Sequence, residues 1–515
     1  MRARLGQRWR HERRRVVVTA QASGDFESIS YGRRVARLAL TRGAEPAVSE
    51  VSVAGVRRSL SWHELDDLAG RLARTLHEDG LAPGDSVAVC LPNCLEHFAA
   101  DVAAWKLGAI PVAIRWDLPE WELTRLLNVL APRVAFRDGP SDVIARAAST
   151  VLRADDVVSP HRFGVCTSGS TGMPKVILHT SPGLYSDAQR STSAVVESYR
   201  TLSTPQTLLV PNALYHSASI TTAVLNLVSG NHTIVLERFV PEVLQEAVAR
   251  HRVTGFMAPT PMLLRLARSP ALAREHFDSI EWVQHGASPL PEWLARFWID
   301  FLGPERFFTS YGAAEAVGVV ACRGEEWLAH PGTLGRGALG TDVMVLGDDG
   351  QRLAPHQIGQ IYLRRPGGPS GTYAVRGVAP LEIDQDGFAT VGDLGWLDED
   401  GFVYLSDRRV DLIVSGGANV YPAEVEGAVG EHPDVEDVVV IGLPDEEWGK
   451  RVHAIVQLSS AAELTAEDIR TFTRARLARY KVPKTVEFVE QIPRSAATKV
   501  NRAALIAERV HGASR

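Results

Sequence analysis

Apolar runs of strand length alternate with amphipathic helical segments along most of this chain. The run "SVAVCLP" at 86–92 is short and apolar, which predicts a buried strand. The segment "SWHELDDLAGRLARTLHEDG" at 61–80 has apolar residues at helical spacing. It opens on Ser61, carries Glu64 three residues later and ends on Gly80, which predicts a capped helix. The same helix-then-strand switch recurs in "WKLGAIPVAI" (105–114), "VLNLVSGNHTIVLERF" (224–239) and "EVLQEAVARHRVTGFMAPT" (242–260). Few folds accept that rhythm. It implies an α/β architecture of mostly parallel sheets with helices on both faces. Ligands bind such sheets at loops beyond the carboxyl ends of the strands.

The pattern changes near residue 400. "DEDGFVYLSDRRVDLIVSGG" (398–417) predicts a hairpin, a polar joint and a new strand. Beyond it, a unit of roughly a hundred residues reads helix, strand, strand, helix, strand, a small α+β domain. The expected division is a basic, disordered tail over 1–22, a large domain over 23–407, a joint at 408–411 and a small domain over 412–515.

Composition narrows the function classes. Apolar residues make up 45% and charged residues 23%, as in a globular protein, and the net charge of −6 gives no reason to expect nucleic-acid binding. No stretch of 18 apolar residues occurs, so no membrane span is expected. The first 15 residues hold seven arginines with no apolar region after them, which argues against a secretory signal. Cys90, Cys94, Cys166 and Cys322 form no CxxC pair, which suits a reducing, cytoplasmic setting. Cys90 and Cys94 would lie one helical turn apart in a helix, but two thiols do not make a metal site.

"CTSGSTGMPK" (166–175) is too poor in apolar surface to serve a core. Glycines let consecutive backbone N–H groups converge, hydroxyls add donors and a lysine adds charge, so the stretch can wrap an anion. Thr167, Ser168, Gly169, Ser170, Thr171, Gly172 and Lys175 supply all three features. The stretch is not a Walker loop, because the GK[ST] ending is missing. Alone it reads equally well as a surface loop.

"TSGSTGMPK" resembles the phosphate loop of the adenylate-forming superfamily, which includes acyl-CoA synthetases, adenylation domains and luciferases. Further segments resemble that family's motifs in order: "PNALYHSA" (211–218), "HGASPLP" (285–291), "TSYGAAEA" (309–316), "GDLGWLDEDGFVYLSDR" (392–408), "VSGGANVYPAEVE" (414–426) and "PRSAATKVNR" (493–502). The resemblance runs from about residue 30 to 508. It implies ATP-dependent activation of a carboxylic acid to an acyl-AMP with pyrophosphate release, with ATP, Mg²⁺ and CoA as cofactors. Residues Thr167 to Lys175 would hold the leaving phosphates, with Glu315 and Thr171 as Mg²⁺ ligands. Gly286, Ala287, Ser288, Ser310, Tyr311, Gly312, Ala313 and Ala314 would flank AMP. Asp393 would accept from the ribose hydroxyls, and Arg408 would reach ribose or phosphate. Tyr215, His216 and Ser217, with Gly286 and Gly312, would shape the acid pocket. Lys499 would stabilise charge at the α-phosphate, with His216 and Glu315 completing the catalytic set. Taken singly, Lys499 reads as a solvated surface lysine, Glu315 has the alternative of a solvated loop acid, and His216 reads as a structural histidine.

Four positions depart from the family pattern. Ala314 stands where a threonine is usual, at a cost of roughly 1 kcal/mol for one lost contact. Val410 replaces an acid or lysine after the hinge arginine, Thr498 a glycine before Lys499, and Val391 a threonine.

"SGGANVYPAEVE" resembles CoA ligases more than peptide-synthetase domains, and no carrier domain is expected after residue 515. Ser415, Gly416, Gly417, Ala418 and Asn419 would then guide the CoA thiol. The acid expected is aryl or a medium to long acyl chain. Alternatives keep adenylation with a free carrier protein, an amine, hydrolysis or an oxyacid such as nitrite, or make the chain a non-catalytic nucleotide binder. A homodimer stays open beside a monomer.

Overall fold

The computed structural model describes residues 28–55, 57–152, 156–167, 175–187, 191–368, 371–373, 381–408, 413–415, 418–445, 448–459, 462–494 and 500–512. The expected basic tail, 1–22, lies outside them.

Among the described residues, the predicted alternation produces two large sheets. The nine-stranded sheet has a parallel centre running Phe307–Gly312, Trp282–His285, Gly255–Ala258, Thr207–Val210, His232–Leu236, Pro46–Val51. Antiparallel strands finish both edges. The six-stranded sheet is parallel through Val134–Phe136, Ser86–Val89, Ile110–Ala113 and Gly164–Thr167, then antiparallel through Lys175–His179 and Gly371–Tyr373. The helices Trp62–Glu78, Ser217–Val228 and Pro241–His251 fall where the sequence pattern puts them. The first is closed by the expected capping box: the Glu64 backbone N–H donates to Ser61 Oγ, and Glu64 Oε2 accepts from the Ser61 N–H at 2.8 Å.

One core holds the two large sheets together. Val87, Val89 and Val165 of the six-stranded sheet join Val48, Leu208, Val235 and Trp282 of the nine-stranded sheet, with Trp62, Leu72, Phe98 and Trp105 between them. Each such side chain contributes about 1.5–3 kcal/mol on burial. The helix Leu95–Lys106 runs through this core with every residue buried. Glu96 and Lys106 are paired, as burial demands, whereas burial alone pushes the Asp101 carboxyl well above its usual range. Glu96 accepts both Arg58 Nη groups at 2.7 and 3.0 Å, and Lys106 Nζ donates to Asp66 at 2.7 Å. Cys90 follows the strand Ser86–Val89, and Cys94 caps the helix Leu95–Lys106. They are not one helical turn apart, because the chain bends at Asn93 and Cys94 before the helix begins.

A four-stranded antiparallel sheet follows: Asp342–Leu346, Gly359–Arg364, Asp393–Leu397 and Val403–Arg408. Its last two strands are the predicted hairpin. A separate sheet begins at Ile413–Ser415 and carries the predicted run Pro422–Gly430, Val435–Asp445, Gly449–Leu458, Ala466–Arg474 and Thr485–Val489. It has its own core around Val425, Val440, Val452 and Ile469. The architecture is thus α/β with a large mixed-sheet N-terminal part and a smaller C-terminal one. Of the expected joint 408–411, residues 409–411, including Val410, lie outside the described residues. Arg268 bridges the two parts: Nη1 donates to Val435 O at 2.5 Å, and Nη2 to Gly430 O at 3.4 Å.

Candidate active site

The motifs gather at the carboxyl ends of parallel strands. Thr167 ends Gly164–Thr167, Pro211–Ser217 follows Thr207–Val210, Gly286–Ser288 follows Trp282–His285, and Gly312–Glu315 closes Phe307–Gly312. This is where an α/β sheet presents loops to a ligand.

Thr167 and Lys175 are paired across an antiparallel ladder, so the phosphate-loop segment leaves and re-enters the same sheet. Ser168, Gly169, Ser170, Thr171 and Gly172 lie outside the described residues. Lys175 Nζ stands 3.9 Å from Glu315 Oε1, both partly exposed. The structure therefore unites a cation from one sheet and a carboxylate from the other, 140 positions apart in sequence. A carboxylate beside a phosphate-loop cation fits Mg²⁺ bound through one protein acid and phosphate oxygens.

Tyr311 Oη donates to Asp393 Oδ2 at 2.6 Å. Asp393 is buried, and it faces Arg408 across the Asp393–Leu397 and Val403–Arg408 ladder. The nine-stranded and four-stranded sheets are joined at this bond. Ser310 Oγ accepts from Gln284 Nε2 at 2.8 Å and donates to His285 O at 3.2 Å. Gln284 Oε1 in turn accepts from Ser193 at 2.9 Å.

The turn at 285–288 is held firmly. His285 is wholly buried, and its ring nitrogens contact Thr260 Oγ1 at 3.0 Å and Thr309 Oγ1 at 3.1 Å. Burial pushes its pKa down to about 3, so it stays neutral at working pH. Ser288 Oγ accepts from the Thr260 N–H at 2.9 Å. Ala287 adopts a φ of 67°, a left-handed conformation rare for alanine and common at functional turns. A Cβ on Gly286 would meet Ser310 Oγ at 3.2 Å and the Met257 methyl at 3.7 Å, so the glycine keeps this corner open. Gly312 is exposed, Ala313 is half-buried, and Ala314 packs against the main core.

Tyr215 and His216 sit together at the start of the helix Ser217–Val228, ring centroids 4.5 Å apart. Tyr215 is buried, its hydroxyl has no hydrogen-bond partner among the described residues, and burial pushes it up to about 12. Their loop is tied down by Asn93, which the motifs do not include, and by Asn212 within it. Asn93 Oδ1 accepts from the Leu214 N–H, and its Nδ2 donates to Asn212 O and Leu236 O. Asn212 Nδ2 donates to Met257 O at 3.0 Å. The signal for Asn93 was present as a lone amide inside the apolar run "CLPNCL" at a strand's carboxyl end. Ser193 and Gln284 carried no comparable signal.

In the C-terminal part, Ser415 is buried and paired with Ala418, and position 414 pairs with Asn419. Gly416, Gly417, Thr498 and Lys499 lie outside the described residues. Elsewhere, a surface cleft of about 480 Å³ lined by Glu242, Gln245, Glu246, Arg250 and His276 holds none of the motif residues. No helix among the described residues is long and apolar enough to cross a membrane.

Comparison with known proteins agrees with this layout. Residues 36–162 and 163–373 match the model of the AMP-binding enzyme family, and 424–499 match the AMP-binding enzyme C-terminal domain. A long-chain-fatty-acid–CoA ligase, FadD13, of Mycobacterium tuberculosis is 31% identical over 87% of this chain and 92% of its own. A 2-succinylbenzoate–CoA ligase of Geobacillus kaustophilus is 32% identical over 88% of this chain and 94% of its own. The structure of o-succinylbenzoate CoA synthetase from Bacillus subtilis, in complex with the acyl-adenylate intermediate OSB-AMP, superposes with a TM-score of 0.77 at 25% identity. That match covers 93% of this chain and 98% of the other. This chain belongs to the AMP-binding enzyme family, among the acyl- and aryl-CoA ligases of the adenylate-forming superfamily.

Proposed function

We propose that this enzyme converts a carboxylic acid, ATP and CoA into an acyl-CoA, AMP and pyrophosphate through an acyl-adenylate. The observation that carries the reading is the convergence of Lys175 with Glu315 and of Tyr311 with Asp393 at the strand ends. Both reactants are anions, so the site must neutralise charge and align an in-line attack. In the first step the carboxylate oxygen attacks the α-phosphorus, and the bond to the bridging oxygen breaks. Pyrophosphate leaves with the electron pair. Thr167 to Gly172 and Lys175 hold the leaving phosphates, and Lys499 stabilises charge at the α-phosphate. Asp393 and Arg408 hold the ribose, while Tyr311 and the turn from Gly286 to Ser288 flank adenine. Glu315 and Thr171 hold Mg²⁺, which when bound neutralises phosphate charge.

Tyr215, His216 and Ser217 shape the acid pocket. Its walls at Gly286 and Gly312 lack side chains, which suits an aryl or a medium to long acyl acid. In the second step the CoA thiolate attacks the acyl carbon, and AMP leaves with the electron pair. The C-terminal part, turning about 408–411, withdraws Lys499 and brings in Ser415 to Asn419 to guide the thiol.

The test is pyrophosphate release with Mg²⁺ and ATP over aryl, fatty and small acids, with and without CoA, and mass spectrometry of the products. Acyl-CoA formation supports the ligase reading and identifies the acid class. Pyrophosphate without a thioester refutes CoA as the acceptor. Lys499→Ala should lose orders of magnitude in adenylation rate with ATP binding kept; unchanged turnover refutes the role given to Lys499.

A further inference from the structure

We infer that Asn93 is a positioning residue for the acid pocket, setting the loop that presents Tyr215 and His216. This rests on the acyl-adenylate reading above. Asn93 lies just past the strand Ser86–Val89 of the six-stranded sheet, whereas the loop 211–216 follows the strand Thr207–Val210 of the nine-stranded sheet. The amide is 7% exposed and uses both ends. Its oxygen accepts from the Leu214 N–H at 2.9 Å, and its nitrogen donates to Asn212 O at 2.8 Å and Leu236 O at 3.0 Å. One side chain thereby fixes the loop on both sides of Ala213 and anchors it to the end of the neighbouring strand His232–Leu236.

The geometry goes further than packing requires. The loop has no ladder of its own, and a buried backbone group must find a partner somewhere. Leu214, the residue directly before Tyr215, finds it in Asn93. The loop's far side is held by Asn212, whose Nδ2 donates to Met257 O at 3.0 Å, and the Met257 methyl abuts the space beside Gly286. A chain of two amides thus connects the six-stranded sheet, the aromatic–histidine pair and the floor of the acid pocket. The bonds of Asn93 itself end at Asn212, Leu214 and Leu236, and reach neither the Gly286–Ser288 turn, the Tyr311–Asp393 pair nor the phosphate-loop strands. Loss of Asn93 should therefore disturb the acyl group and spare the nucleotide.

Two kinds of probe separate these effects: AMP, and the adenylate mimics 5′-O-(N-benzoylsulfamoyl)adenosine and 5′-O-(N-octanoylsulfamoyl)adenosine. Asn93→Ala should weaken the mimic that wild type binds more tightly by about tenfold, the scale of one lost anchor, while AMP affinity stays within about twofold. In a His216→Ala background the same change should cost less than about threefold, because the two residues act through one loop. Asn93→Asp keeps the volume and the acceptor for Leu214 but loses both donors, and should show the same selectivity for the acyl probe. Equal losses for AMP and mimic, or no loss for either, overturn the inference. So does failure of both variants to fold, which would assign Asn93 to the core alone. If wild type binds neither mimic more tightly than AMP, the acyl-adenylate reading itself falls, and the inference falls with it.

Discussion

Tyr311→Phe isolates one hydroxyl at the meeting point of two sheets. The ring that would flank adenine is kept, and the donor to Asp393 is lost. That bond is short, 2.6 Å from Tyr311 Oη to Asp393 Oδ2, and its acceptor is a buried carboxylate. Hydrogen bonds to charged groups contribute about 1.5–3 kcal/mol, the upper end applying where water cannot substitute. Tyr311 is only half-buried, so a water can replace the lost donor in part. The lower end applies, about 1.5 kcal/mol, or roughly tenfold. A carboxylate freed from Tyr311 can rotate away from the orientation that two ribose hydroxyls require. The expected result is an ATP KM and an AMP Kd raised about tenfold, with acid and CoA KM values little changed. Steady-state kinetics with each substrate varied in turn, together with calorimetric titration of AMP, measure this. An unchanged AMP Kd refutes the role assigned to the pair. A uniform rise in all three KM values refutes its restriction to the nucleotide.

Other perturbations address the remaining parts of the site. Glu315→Gln should raise the Mg²⁺ concentration for half-maximal adenylation by about tenfold or more, since removing one carboxylate ligand costs at least 1.4 kcal/mol; an unaltered Mg²⁺ titration rules out ligation by Glu315. Ala314→Thr restores the hydroxyl usual at that position and should speed adenylation by roughly fivefold, about 1 kcal/mol, in pre-steady-state pyrophosphate release; a slower enzyme would show that the alanine is an adaptation. Arg268→Ala removes donors to Val435 and Gly430, the latter closing the helix Pro422–Gly430, and should increase proteolytic cleavage between the two parts without abolishing AMP binding; an unaltered digest refutes the bridge. Burial pushes His285 to about 3 and His97 and His232 to about 4, below their unfolded value of about 6.5. The unfolded chain then binds more protons, so stability is complete above about pH 6.5 and falls as pH drops towards 4. The slope is up to about 1.4 kcal/mol per pH unit for each histidine, read from denaturant midpoints at pH 7.5 and 5.5.

Much of this architecture was legible because local chemistry and global packing agree. Ser61 and Glu64 signal a cap in any setting, and the helix "EVLQEAVARH" with the strand after it needs only periodicity. The motif segments were legible for a different reason. Glycines, hydroxyls and lysine in "CTSGSTGMPK" have no use in a core and mark a loop, and the further motifs that follow it in order give that loop a ligand. The structure adds pairings that no local window contains. Lys175 meets Glu315, and Tyr311 meets Asp393, only because two sheets close on each other. Asn93 was harder still. An amide in an apolar run signals a buried hydrogen-bonding duty, but its partners lie some 120 and 140 positions away. The antiparallel sheet that carries Asp393 was visible only at its final hairpin, where the turn "LDEDG" gives the strands away.

The pairing of Asp393 with Arg408 gives the site a further consequence. The two residues face each other across one antiparallel ladder, and the next described strand, Ile413–Ser415, already belongs to the C-terminal sheet. If 408–411 is the hinge, as proposed, its fixed side is the strand pair proposed to hold the ribose. That pair is tied through Tyr311 to the strand end leading to Glu315. A nucleotide bound there loads the ladder from which the C-terminal part must turn, whereas the acid pocket, fastened by Asn93 and Asn212, hangs from different strands. Substitutions at Tyr311 should therefore alter the partition between the two half-reactions as well as nucleotide affinity, while Asn93 substitutions alter acyl binding alone. Separate measurement of pyrophosphate release and thioester formation distinguishes the two. A shift in partition with Asn93→Ala but not with Tyr311→Phe would show that the coupling runs through the acid loop instead.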